Sequence, residues 1–324
     1  MYITYIKETL ENRQIGIYFC AVVFAAIVAL LVPHTTMLEI IINPALALML
    51  FVTFLQVPLT NIGQSFKQTR FLTALLIGNF IGVPILIAGL IPFVPADPMV
   101  QLGILLVLLT PCVDYVVTFA YLGRADARLL LTATPILLIV QILLLPVYLK
   151  IFIGKEAAEL VQFKPFIHAF IWLIAIPLLL AALVQFWKKR SQYGERVFSK
   201  LALLPVPATA LVLFVVIAAV LPRLSPAIDL TIQVIPIYIV FATIAPLMGW
   251  GISRFFRLDA PIGRTLAFSI GTRNSLVVLP LTFAIPGAVP ILPAIIVTQT
   301  LVELITMVVY VRLIPKLNIV PSSA

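Results

Sequence analysis

The sequence predicts an all-α integral membrane protein of ten transmembrane helices, arranged as two inverted five-helix repeats with the fourth and ninth helices broken. Three observations predict it. Of 324 residues, 63% are hydrophobic and 10% charged, whereas water-soluble chains have about 45–50% apolar and about 25% charged residues. The apolar residues form continuous runs of roughly 20, enough for a helix to cross about 30 Å of hydrocarbon, and not the alternating pattern of a barrel strand. The basic residues collect in alternate gaps between these runs. A mean hydropathy of +1.20 over the whole length leaves no soluble domain.

The spans fall near 15–33, 38–58, 71–95, 100–122, 129–153, 165–187, 201–222, 232–256, 262–285 and 289–311. Of the 21 lysines and arginines, sixteen lie on one side of this arrangement. Lys150, Lys155, Lys164 and Arg223 lie on the other, and Arg273 falls inside a span. The positive-inside rule then puts both termini in the cytoplasm, in the cytoplasmic (cell inner) membrane. The net charge of +9 is thereby a topology signal that calls for no nucleic acid. The densest basic run, KKRSQYGERVFSK (188–200), reads as a cytoplasmic loop beside anionic lipid headgroups. The polar start, MYITYIKETLENRQIG, lacks the pattern of a cleaved signal peptide.

That loop divides the spans five and five: 1–153 as a first repeat, 154–164 as an outer loop and 165–316 as a second, within a single membrane domain. An odd number of spans per half makes the repeat inverted. At a shift of 163 residues, Pro44 falls on Pro207 and Pro98 on Pro261. Spans four and nine are both interrupted near their centres, as in transporters whose site forms where broken helices meet at the midplane.

Span four carries Pro111, Cys112 and Asp114. Pro111 removes a backbone donor and obstructs the preceding turn. A carboxylate at depth costs about 2.5–3.5 kcal/mol on insertion scales and therefore calls for a partner. Span nine carries Gly271-Thr272-Arg273-Asn274-Ser275 at its middle, so Arg273 is the expected partner of Asp114. Thr272, Asn274 and Ser275 offer donors and acceptors to a hydroxylated solute. Span ten carries Glu303, with Gln299 one turn earlier and Thr298 and Thr300 beside it. An acid at depth that can be charged or neutral is a candidate proton carrier. Gln56 and Asn79 are further lining candidates that also read as interhelical hydrogen-bond formers. Zinc-ligand spacings, Walker loops and nucleophile elbows are absent, so neither an enzyme nor a cofactor is expected.

On the stretches TPCVDYVVTFAYLGRADARL (110–129), TLAFSIGTRNSLVVLPLTFAI (265–285) and VELITMVVYV (302–311) the chain resembles the bile acid:sodium symporter superfamily, and within it the Acr-type arsenite efflux permeases. Those permeases have a cysteine in the fourth span, followed by a Gly-Asp-like turn, and a glutamate in the tenth; Cys112, Arg124-Ala125-Asp126 and Glu303 fall on these positions. The resemblance implies a panel and a core subdomain in which spans four and nine cross. It also implies export of arsenite, with antimonite as a second cargo, in exchange for protons. Cys112 would then touch the transported metalloid, Thr272, Asn274 and Ser275 its hydroxyls, and Asp114, Arg273 and Glu303 would couple protonation to access. The chain departs from the arsenite permeases in having Arg273 where they carry paired asparagines, and Asp114 just after the cysteine. Sodium-coupled carriers use a glutamate and a glutamine in span nine, where this chain has Ser269 and Arg273, which disfavours sodium at that place. The other readings are a proton- or sodium-coupled organic-anion symporter, in which Arg273 clamps a carboxylate, and a non-transporting receptor on the same scaffold. Oligomeric state is not legible.

Overall fold

A computed structural model describes residues 2–56, 68–112, 115–154, 171–223, 227–283, 285, 287–288 and 290–317. Among these the regular structure is helical, with a single isolated β-bridge. The helices are α1 (Tyr2–Leu31), α2 (Glu39–Gln56), α3 (Thr69–Phe93), α4 (Pro98–Leu108), α5 (Val116–Leu122), α6 (Ala127–Ile153), α7 (Ile176–Arg190), α8 (Gln192–Leu201), α9 (Pro205–Val220), α10 (Ile228–Phe255), α11 (Ala260–Gly271), α12 (Ser275–Phe283) and α13 (Ile291–Leu313). Six of the described helical stretches are long and apolar enough to cross a bilayer: those of α1, α2, α3, α6, α10 and α13. The segments 98–122 and 260–283 are each interrupted, so neither half reaches spanning length.

Two differences from the sequence reading have local causes. The polar stretch before residue 15 continues α1 instead of preceding it, because Lys7, Glu8, Leu10, Glu11, Arg13 and Gln14 are good helix formers and Lys7 pairs with Glu11 one turn on, at 3.6 Å. The basic stretch 188–200 is not a loop. Ser191 breaks α7 in an extended conformation, its hydroxyl caps α8 by accepting from the Tyr193 N–H at 3.2 Å, and Lys188 bridges to Glu195 at 3.7 Å. The following helix, α9, is bent 41° from α8.

The chain forms two compact units, each drawing helices from both halves of the sequence. One holds α1, α2, α7, α8 and α9, where Gln185 of α7 donates to the Phe54 and Leu55 carbonyls of α2 at 3.1 and 3.3 Å. The other holds α3 to α6 and α10 to α13. In this second unit α10 and α11 approach so closely that a Cβ on Gly249 would lie 2.8 Å from the Ala267 backbone. Small residues permit such contacts where apolar burial supplies no force between helices. In α3 the winding loosens to a π-turn over Gly78–Gly82, and Asn79 within it is fully buried. Its amide donates to the Leu75 carbonyl, 3.1 Å away, meeting an acceptor of the preceding turn.

Candidate functional site

The site grows from the two interruptions, both in the second unit. Helix α4 stops at Leu108, three residues before Pro111, whose ring has no N–H to continue the ladder. Helix α11 stops at Gly271 and the chain runs extended through Thr272 (φ −119°, ψ 142°) before α12 begins at Ser275. In hydrocarbon these unwound stretches need new partners for their backbone groups, and they find each other. Pro111 and Arg273 face one another as an antiparallel bridge; the Cys112 N–H donates to the Thr272 carbonyl at 3.2 Å and the Asn274 N–H to the Thr110 carbonyl at 2.9 Å. Cys112, Thr272 and Asn274 thus lie next to the bridged pair Pro111 and Arg273 in the two unwound stretches.

A helix end leaves its last four carbonyls unpaired, and side chains take up all four in α11. The Thr272 hydroxyl donates to Phe268 O at 2.8 Å. Arg273 Nη2 donates to Ser269 O at 2.9 Å and to Ile270 O at 2.7 Å. The Tyr310 hydroxyl shares its single proton between Ala242 O and, at 3.4 Å, Gly271 O. The same guanidinium reaches across the break: Nη1 donates to Leu108 O, at the end of α4, at 3.2 Å, and Nη2 to Asn79 Oδ1 at 2.9 Å. Arg273 is fully buried, and its guanidinium carbon lies 5.4 Å from the centre of the Phe241 ring. Among the described residues it makes no ion pair within 4 Å.

The opposite charge is Glu303, 3% exposed on α13. Its Oε1 accepts from the Tyr115 hydroxyl at 2.6 Å; its Oε2 accepts from the Arg273 backbone N–H at 2.8 Å and from Gln299 Nε2 at 2.5 Å. Gln299 Oε1 in turn accepts from the Ser275 hydroxyl at 2.5 Å. One carboxylate thus holds the start of α5, the unwound residue before α12 and its own helix in a fixed relation. A change in its charge alters three hydrogen bonds at once.

Most of the residues singled out from sequence meet here. Pro111 and Gly271 flank the breaks, although Gly271 does so with no left-handed backbone: a Cβ there would lie 3.0 Å from the Tyr310 ring and 3.3 Å from Pro246. Cys112 is fully buried and in no disulfide. Thr272 and Ser275 spend their hydroxyl protons on Phe268 and Gln299. Asn274 is 1% exposed, and neither its Nδ2 nor its Oδ1 has a partner among the described residues. Thr298 and Thr300 bond back to their own helix, and Gln56 ends α2 in the other unit. Asp114 lies outside the described residues, and with it the expected contact to Arg273. No group of three histidine, cysteine or acidic side chains among the described residues could hold a metal ion. The sequence reading missed Tyr115 and Tyr310; the signal was a tyrosine hydroxyl placed at depth, which must find an acceptor.

Residues 43–225, more than half of the chain, match the Sodium Bile acid symporter family, whose members carry small solutes across lipid bilayers. None of the curated proteins matches the chain at a significant level. The match contains Cys112 and Tyr115, while Arg273 and Glu303 lie beyond it.

Proposed function

Because the chain belongs to the Sodium Bile acid symporter family, we propose that it is a secondary active transporter of the cytoplasmic membrane that expels trivalent arsenic, arsenite first and antimonite second, in exchange for protons. The observation that carries this reading is Asn274: a buried amide whose two polar atoms have no partner among the described residues, beside the same bridge that Cys112 adjoins. An unmet buried amide costs about 1–3 kcal/mol, and a solute with several hydroxyls relieves it. Cys112 supplies the soft sulfur contact that selects a metalloid. Thr272 and Ser275 retain lone pairs for the same cargo.

Glu303 is the coupling group. Charged, it accepts three hydrogen bonds that pin the break; protonated, it must release or reverse one. Asp114 is a second acid in the coupling set, and Arg273 supplies the fixed positive charge that both answer to. The ten-span inverted-repeat plan is supported by the interrupted pairs α4/α5 and α11/α12, and cytoplasmic termini by the sixteen basic residues on one side of the spans. In the organic-anion alternative Arg273 would clamp a carboxylate; its Nη1 and Nη2 donate to four protein oxygens, which leaves Nε and one Nη1 hydrogen without a partner among the described residues. Growth on graded arsenite of a host lacking its own exporters, with and without this chain, tests the cargo. Flux of labelled arsenite against a panel of carboxylates completes the test. Carriage of a carboxylate with no effect on arsenite overturns the reading.

A further inference from the structure

Four oxygens surround one guanidinium in the second unit: Ser269 O, Ile270 O and Asn79 Oδ1 about its Nη2 and Leu108 O at its Nη1, all on fully buried residues. Three are main-chain carbonyls at the C-terminal ends of α4 and α11, so the negative ends of two helix dipoles meet there. Unwound carbonyls and half-helix C-terminal ends are what coordinate a transported cation in carriers with broken helices. Here the guanidinium is that of Arg273, 2.7–3.2 Å from each oxygen. Arginine keeps its charge in proteins. A sodium ion entering would find its ligands committed and a full positive charge among them. The residues present do not fit a bound sodium ion at this place, despite the family's name.

We propose that Arg273 is a tethered cation, doing permanently what a bound alkali ion would do transiently: closing the C-terminal ends of α4 and α11 onto the π-turn of α3. A tethered charge cannot leave with the cargo. The cycle of this chain therefore runs without sodium at this place. The inference concerns the scaffold and holds whichever solute is carried.

Thermal unfolding of the purified chain in detergent, with no arsenite present, tests it and so separates its failure from that of the proposed cargo. The wild-type midpoint is expected to be equal in sodium, potassium and choline chloride at matched ionic strength. Arg273→Ala is expected to lower the midpoint and to regain at least half of the loss with millimolar guanidinium, which has no such effect on wild type. Arg273→Lys is expected to retain most of the stability and to stay insensitive to sodium. A wild-type midpoint that rises with sodium and not with choline overturns the proposal, as does a monodisperse Arg273→Ala protein indifferent to guanidinium. If Arg273→Ala does not fold, Arg273→Lys decides: stabilisation of that variant by sodium overturns the proposal, and indifference to sodium supports it.

Discussion

Glu303→Gln separates the shape of the central carboxylate from its charge. The amide fits the same space, and Tyr115 can turn its hydroxyl to accept from the new NH2 while the remaining oxygen still accepts from the Arg273 N–H and Gln299 Nε2. All three contacts of 2.5–2.8 Å can survive. What goes is the charge. Hydrogen bonds to a charged group contribute about 1.5–3 kcal/mol against about 0.5–1.5 kcal/mol for neutral ones, so three of them lose about 3 kcal/mol together. A lower thermal midpoint is therefore expected in a chain that still folds. In proteoliposomes, Glu303→Gln should exchange labelled for unlabelled arsenite yet fail to accumulate it when a proton gradient is imposed. Accumulation at the wild-type level in Glu303→Gln would refute the coupling role.

Asn274→Ala removes a buried amide that has no partner among the described residues and should leave the thermal midpoint unchanged or raise it. The same variant should raise the arsenite KM about tenfold, the equivalent of about 1.4 kcal/mol. Cys112→Ser, nearly isosteric at a fully buried position, should fold normally and lose arsenite resistance in a sensitive host; intact resistance removes the sulfur from the mechanism. Gly249→Val drives a Cβ to 2.8 Å from the Ala267 backbone and should cost about 1–3 kcal/mol in the thermal midpoint. Gly251→Val is its control, because nothing lies within 4 Å of the added Cβ. Tyr310→Phe strips the Gly271 and Ala242 carbonyls of their donor and should destabilise by about 1–3 kcal/mol.

The breaks were legible in the sequence because proline and a run of five polar or small residues have few readings inside an apolar span. The depth of Glu303 and the clustering of Gln299 with it were legible for the same reason, an acid and an amide at helical spacing in hydrocarbon. The partners of Arg273 were not. Asn79 lies 194 residues away, and a lone asparagine in a span fits any interhelical contact. The carbonyls of Leu108, Ser269 and Ile270 belong to the backbone and leave no mark on composition. Tyr115 and Tyr310 read as apolar bulk until the fold shows which acceptors their hydroxyls reach. The helix α8 was hidden by its charge: a basic run reads as loop, while the Ser191 cap that starts the helix is one residue in a polar stretch.

Proteoliposomes holding the purified chain in sodium-free medium, with the interior made acid, put the central claim to its most direct test. The account predicts that labelled arsenite accumulates inside while the proton gradient lasts, and that it does not with Cys112→Ser or Glu303→Gln. Arsenite that stays at equilibrium under the proton gradient, together with a carboxylate that accumulates under an inward sodium gradient, would contradict it.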